Sequence, residues 1–204
     1  NRPIANKQIS IKTSAIYIIL LCLLSFLILI QFNLKTILLG LGSMVFAFSY
    51  PFMKRITYWP QLFLGLTFNW GMIMAFSAIL DQVSIQIIIF YLAAIFWTLG
   101  YDTIYGVQDI ADDEIIGIKS TAIKFKENLK VFVFVCYLIA ILLIIYLFNK
   151  DIGLNLSTFF ILMFILSLIY QIKIFSRDNH FNCLKAFKLN NYSGFFMFLS
   201  ILLT

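Results

Sequence analysis

Seven stretches free of Asp, Glu, Lys and Arg run along the chain, at 14–32, 36–50, 60–80, 84–101, 131–148, 154–172 and 192–204. Most are 18 to 21 residues long, close to the ~20 that an α-helix needs to cross a hydrocarbon core of about 30 Å. None alternates apolar and polar residues over about ten positions, as a membrane β-barrel strand would. The pattern predicts an all-α integral membrane protein, a helical bundle with seven transmembrane helices in one domain. The second stretch has 15 residues and the last 13, so their boundaries are the least sharply drawn.

Composition agrees with this reading. The 204 residues are 62% hydrophobic and 12% charged, about half the charge of an ordinary soluble domain. Twenty-three Phe with 3 Pro and 9 Gly exclude collagen, a low-complexity chain and intrinsic disorder, which need more polar or more Pro- and Gly-rich sequences. A net charge of +6 would elsewhere point to nucleic acid. Here its placement gives topology instead. With seven crossings, segments 1–13, 51–59, 102–130 and 173–191 share one side and hold 13 of the 15 basic and 7 of the 9 acidic residues. The opposite connections, 33–35, 81–83 and 149–153, carry Lys35 and Lys150 balanced by Asp81 and Asp151. The basic side is therefore expected to be cytoplasmic, or the matrix side in an organelle, with the C-terminus opposite.

Cysteine and histidine contribute little. Cys22 and Cys136 lie in apolar stretches and Cys183 in a basic one, with no CxxC pair, so they read as isolated thiols. His180 is the single histidine, which disfavours a His-based metal site or a Ser-His-Asp triad. No signal-peptide pattern and no internal repeat are visible.

Chemistry concentrates at 102–130. Five of the nine acidic residues are Asp102, Asp109, Asp112, Asp113 and Glu114. Asp109 and Asp113 are four apart and Asp102 is seven before Asp109, offsets that share one face of a helix. Like charges so spaced repel, so a cationic partner is expected. Oxygen-only ligands suit a hard ion such as Mg²⁺, which uses one or two carboxylates and completes its shell with water and substrate phosphate. The alternative is a solvated acidic loop at the membrane edge. Two neighbours weigh against it. Gly117-Ile118-Lys119-Ser120-Thr121 offers a basic group and two hydroxyls suited to phosphate oxygens, and Tyr50-Pro51-Phe52-Met53-Lys54-Arg55 places two cations in a short loop on the same side. Ordinary topogenic charge is the other explanation of those cations. Together with apolar spans, these groups suggest a lipid diphosphate.

These residues resemble the UbiA superfamily of intramembrane prenyltransferases, most closely its bacterial 4-hydroxybenzoate polyprenyltransferases. The likeness is carried by Asn1-Arg2-Pro3, residues 50–55, Pro60-Gln61, the Tyr101-to-Asp113 acidic signature, residues 117–122, Cys183-Leu184-Lys185-Ala186-Phe187 and Asn190-Asn191-Tyr192-Ser193-Gly194. The resemblance implies nine helices and two Asp-rich motifs. Only the second motif is matched, and Asn1-Arg2-Pro3 resembles the segment that follows the first. The expectation is a C-terminal portion lacking two helices and inactive by itself.

The resemblance further implies a Mg²⁺-dependent transfer of a polyprenyl group from its diphosphate to the ring carbon ortho to the hydroxyl of 4-hydroxybenzoate, in ubiquinone biosynthesis at the bacterial or mitochondrial inner membrane. It assigns metal binding to Asp109 and Asp113, with Asp102 and Asp112 as further candidates. Lys119 and Lys54 are expected at the diphosphate and Arg55 at the diphosphate or the benzoate carboxylate. Tyr101 and Tyr105 are expected to line the acceptor site, although interfacial Tyr is common. A sister enzyme with another aromatic acceptor is the nearest alternative. A transporter would carry charges within its spans, and this chain has none; a purely structural subunit leaves the acidic signature without a purpose.

Overall fold

The computed structural model describes residues 3–204, so the first two residues of the Asn1-Arg2-Pro3 match lie outside the described residues. It is built of α-helices: α1 (Ile11–Leu29), α2 (Leu34–Ile56), α3 (Pro60–Leu80), α4 (Ile85–Gly106), α5 (Ile110–Ile116), α6 (Thr121–Lys124), α7 (Leu129–Leu147), α8 (Leu156–Ile174), α9 (His180–Lys188) and α10 (Asn190–Leu202). A 3₁₀ turn, Val107–Asp109, joins α4 to α5. Helix starts are written locally. Ser10, Asn33, Ser84 and Asn155 each accept a backbone N–H two or three residues into the helix they precede, the usual way of satisfying orphan donors there.

Six helices among the described residues are long and apolar enough to cross a membrane. The seventh expected span, 192–204, is α10; its 13 residues reach about 20 Å at 1.5 Å per residue. Two expected loops are helical instead. Tyr50–Arg55 belongs to α2, which continues six residues past its apolar stretch with Pro51 inside it. Asp102 to Gly106 likewise complete α4. Formal charge marks where lipid ends, whereas a helix ends where its hydrogen bonding ends, and here the two differ by more than a turn.

Packing centres on α4, which buries eleven residues against α3, α7 and α9. Lipid tails are as apolar as leucine, so close backbone approach, rather than exclusion of water, holds such helices together. Small residues provide it. A Cβ at Gly65 would stand 3.2 Å from Ile95 O, and one at Gly100 would overlap the Tyr137 ring. The exposed apolar side chains along α1, α2 and α8 are the lipid-facing surface of the bundle. On the side of the short connections, Asn33 donates to Ser77 O at 2.7 Å and Lys35 to Asp81 O at 2.6 Å, fastening α2 to the end of α3.

Candidate functional site

The last turn of α2 carries Lys54 and Arg55, where cations complement the negative end of the helix dipole. Lys54 reaches into the acidic segment. Its Nζ lies 3.2 Å from Asp113 Oδ2 and 4.0 Å from Asp109 Oδ2. Asp113 is buried, and a buried carboxylate needs such a partner to offset lost hydration. Lys54 and Asp109 are also the charges that act on Asp102. The cation expected from the repulsion between these carboxylates is therefore Lys54, delivered from a helix some fifty residues upstream. Arg55 and Asp112 are exposed, and neither forms an ion pair among the described residues.

The three aspartates do not share one face of a continuous α-helix. The 3₁₀ turn separates Asp102 in α4 from Asp113 in α5, with Asp109 as the cap of α5. Asp109 and Asp113, beyond the bend, are the two that meet Lys54. Gly117 then reverses it at φ 78°, with the Ile118 N–H returning to Asp113 O at 2.9 Å. No atom lies within 4 Å of a Cβ placed on Gly117, so Gly117→Ala is opposed by backbone conformation alone. We expect it to lower stability by about 1 kcal/mol, read as a fall in Tm in detergent.

Beyond Gly117 the chain is riveted to α2 and α3. The Lys119 N–H donates to Lys54 O at 2.7 Å. Its ammonium donates to Ile56 O at 3.3 Å and sits over the Tyr58 ring. Gln61, 3% exposed, accepts the Thr121 N–H at 3.0 Å. Thr103 donates to Leu99 O at 2.6 Å, so Thr121 supplies the proton in their 2.7 Å hydroxyl pair. Ser120 caps α6. The hydroxyls of Ser120 and Thr121 are thus consumed by the fold, and only Lys119 keeps a charge near the site. Their small size and place beside a glycine suited a phosphate loop equally well by sequence; burial decides against it.

The donor set fits a hard divalent ion. Asp109 and Asp113 flank a single cationic atom, the Lys54 ammonium, which shows that the pair attracts positive charge. Among the described residues no three His, Cys, Asp or Glu side chains gather as a ligand cage. The fit is therefore to an ion held by one or two carboxylates that takes its remaining oxygens from water and phosphate.

Tyr101 and Tyr105 project from an adjacent face of α4 onto Phe187 of α9, with ring centroids 5.9 and 4.7 Å apart. Trp97 stands edge-on to Tyr101 at 6.0 Å, and its N–H donates to Asn190 Oδ1 at 2.9 Å. Asn190 Oδ1 also accepts from Gln171, whose Oε1 takes the Tyr137 hydroxyl at 2.6 Å. Sorting residues by formal charge passes over this uncharged network; the amide of Gln171 within an apolar span is its visible signal. Nearby, burial pushes the Cys183 thiol up, while its Sγ donates to Ser176 O at 3.0 Å, consistent with an inert thiol.

Comparison with known proteins gives the arrangement a family context. The sequence profile described as the UbiA prenyltransferase family matches residues 1–202. The chain is 38% identical over 202 residues to a 4-hydroxybenzoate octaprenyltransferase of Enterobacter sp. (strain 638), covering 98% of this chain and 70% of that protein. It is 40% identical over 208 residues to a mitochondrial 4-hydroxybenzoate polyprenyltransferase of Dictyostelium discoideum, covering 100% and 44%. The apo structure of a UbiA homolog from Aeropyrum pernix K1 superposes with a TM-score of 0.82 at 21% identity, over 99% of this chain and 76% of that one, a likeness of fold.

Proposed function

This chain belongs to the UbiA prenyltransferase family, and we propose that it transfers a polyprenyl group from polyprenyl diphosphate to the ring carbon of 4-hydroxybenzoate ortho to its hydroxyl. The observation that carries this reading is the meeting of Lys54 with Asp109 and Asp113 at the end of an apolar bundle. Opposite charges are concentrated there beside lipid. Relatives named for 4-hydroxybenzoate support the acceptor.

In the reaction the allylic C–O bond breaks and its electron pair leaves with the diphosphate. The ortho carbon, made electron-rich by the phenol oxygen, forms the new C–C bond, and the ring then loses the proton from that carbon. Asp109 and Asp113, with Asp102 beside them, would hold Mg²⁺. When bound, Mg²⁺ supplies positive charge to the leaving diphosphate. Lys54 contributes an ammonium already at that position, and Lys119 a second one on the loop whose backbone is bonded to Lys54. Both act where negative charge grows, which is where fixed cations lower a barrier most. Arg55, exposed beside them, has the planar fork for a phosphate or carboxylate. The apolar helices receive the isoprenoid tail and keep water from the allylic cation. The charge asymmetry supports a cytoplasmic or matrix location for this end, in a bacterial or mitochondrial inner membrane on our reading.

Membranes containing the protein at its full natural length, given Mg²⁺, a polyprenyl diphosphate and radiolabelled 4-hydroxybenzoate, should yield a labelled lipid product. EDTA should stop its formation and added Mg²⁺ restore it. Absence of product under these conditions would remove the assignment.

A further inference from the structure

The outer side of α9 carries chemistry that the acidic site does not use. Cys183 and Ala186 bury the inner side of this nine-residue helix against α4 and α8. The opposite side is an open groove of about 360 Å³ lined by Phe181, Leu184, Lys185, Lys188, Leu189 and Tyr192. Phe181, Lys185, Lys188 and Tyr192 follow one another at offsets of three and four, which gathers them on one helical face. We propose that this groove binds an anionic membrane phospholipid, with the lipid phosphate between Lys185 and Lys188 and an acyl chain lying along α10.

Charge is the first support. Lys54, Lys126 and Arg177, at the same end of the bundle, are each paired with an acidic side chain. Lys185 and Lys188 are exposed and form no ion pair among the described residues. No Asp or Glu lines the groove, so two ammonium-bearing side chains share one patch without a counter-charge. The helix dipole favours cations in a last turn, but it does not account for the rings beside them. Phe181 is 74% and Tyr192 62% exposed. Rings of this size are costly to hold in water and settle at headgroup level where a bilayer is present.

The second support comes from α10, which marks the occupant as a lipid. Only Leu189 separates the two helices, and its dihedrals are helical, φ −62° and ψ −18°, so the face carries on. Lys188, Phe195 and Leu202 are spaced by seven and share it, with Phe195 and Leu202 both exposed. From Lys188 to Leu202 the helix descends about 20 Å at 1.5 Å per residue, more than the ~15 Å hydrocarbon depth of one leaflet. A phosphate at the lysines thus has an apolar lane below it long enough for its own tail. A soluble anion would use the lysines and leave the lane empty.

Binding to the protein at its full natural length, purified in a neutral detergent, tests the proposal with radiolabelled phosphatidylglycerol against phosphatidylcholine of the same chain length. Phosphatidylglycerol should bind on the order of 20-fold more tightly, each lysine near a headgroup contributing about fivefold. Lys185→Gln and Lys188→Gln should each lose about fivefold, and together nearly all of the preference. The paired change to Arg should keep it. Lys150→Gln removes a surface charge from the connection before α8, a helix length away, and should leave the preference intact. All these side chains are exposed, so the Tm in lipid-free detergent should stay the same. Equal binding of the two lipids by the wild type, or a preference that survives the double change to Gln, would overturn the proposal. So would displacement of phosphatidylglycerol by inorganic phosphate, which would give the lysines to a soluble anion, or by polyprenyl diphosphate, which would give the groove to the prenyl donor.

Discussion

Replacing Asp109 or Asp113 by Asn is expected to lower prenyl transfer by on the order of 100-fold or more, the scale seen when charge stabilisation at a transition state is removed. Each change keeps side-chain size and removes one negative charge, so the amount of protein in the membrane should be unchanged. The structure separates the two positions. Asp113 is buried at 3.2 Å from Lys54, whereas Asp109 is half-exposed at 4.0 Å. Asp113→Asn therefore also frees the ammonium, and restoring activity with excess Mg²⁺ should be harder for it than for Asp109→Asn. Groups that act as one unit lose activity non-additively, so the double variant should be little worse than the poorer single. Turnover measured in membranes at saturating substrates decides the matter. Near-normal rates in either variant would sink the metal assignment.

The second large effect is structural. Gly100→Ala places a methyl against the Tyr137 ring, with Cδ1 only 2.6 Å from the new carbon. Tyr137 cannot easily withdraw. It is fully buried and its hydroxyl is held by Gln171 at 2.6 Å, so either the α4–α7 seam widens or that bond is lost. Overpacking of this kind costs about 1–3 kcal/mol. We expect a Tm in detergent lower by several degrees, with activity per folded molecule reduced as well because α4 carries Tyr101 and Asp102. Combining the change with Tyr137→Leu should shrink the penalty of the added methyl, as expected of residues in contact. A Gly100→Ala protein as stable as wild type would show that the seam adjusts freely.

Much of the fold was legible from charge-free length alone, since crossing hydrocarbon restricts a chain to helices. Six long helices follow those stretches closely. Legibility fell where the membrane ends. At 50–55 and 102–106 the chain stays helical in a region that formal charge marks as loop, because hydrogen bonding continues after hydrophobicity stops. The carboxylate pair at 109 and 113 was visible as a spacing, but its partner was not. Nothing local to Lys54 says that it faces Asp113, since that pairing depends on the Lys119 N–H meeting Lys54 O. Ser120 and Thr121 show the reverse case, residues whose chemistry suited a ligand and whose burial gave them to the backbone. The amides at 61, 69 and 171 carry no charge and so left no mark on the charge pattern, although they organise the interior of the bundle.

α1 buries none of its residues within this chain. It meets α2 at Leu29, whose methyl groups lie where a Cβ of Gly40 would be, at the C-terminal end of α1. Within these residues, a helix that buries so little takes part of its orientation from the thickness and order of the surrounding medium. Hydrogen-exchange measurements on these 204 residues alone should accordingly find α1 less protected than α4 and α7 in detergent micelles, and quieter in a bilayer of matching thickness. For this protein the choice of solubilising lipid is thus a structural variable in its own right.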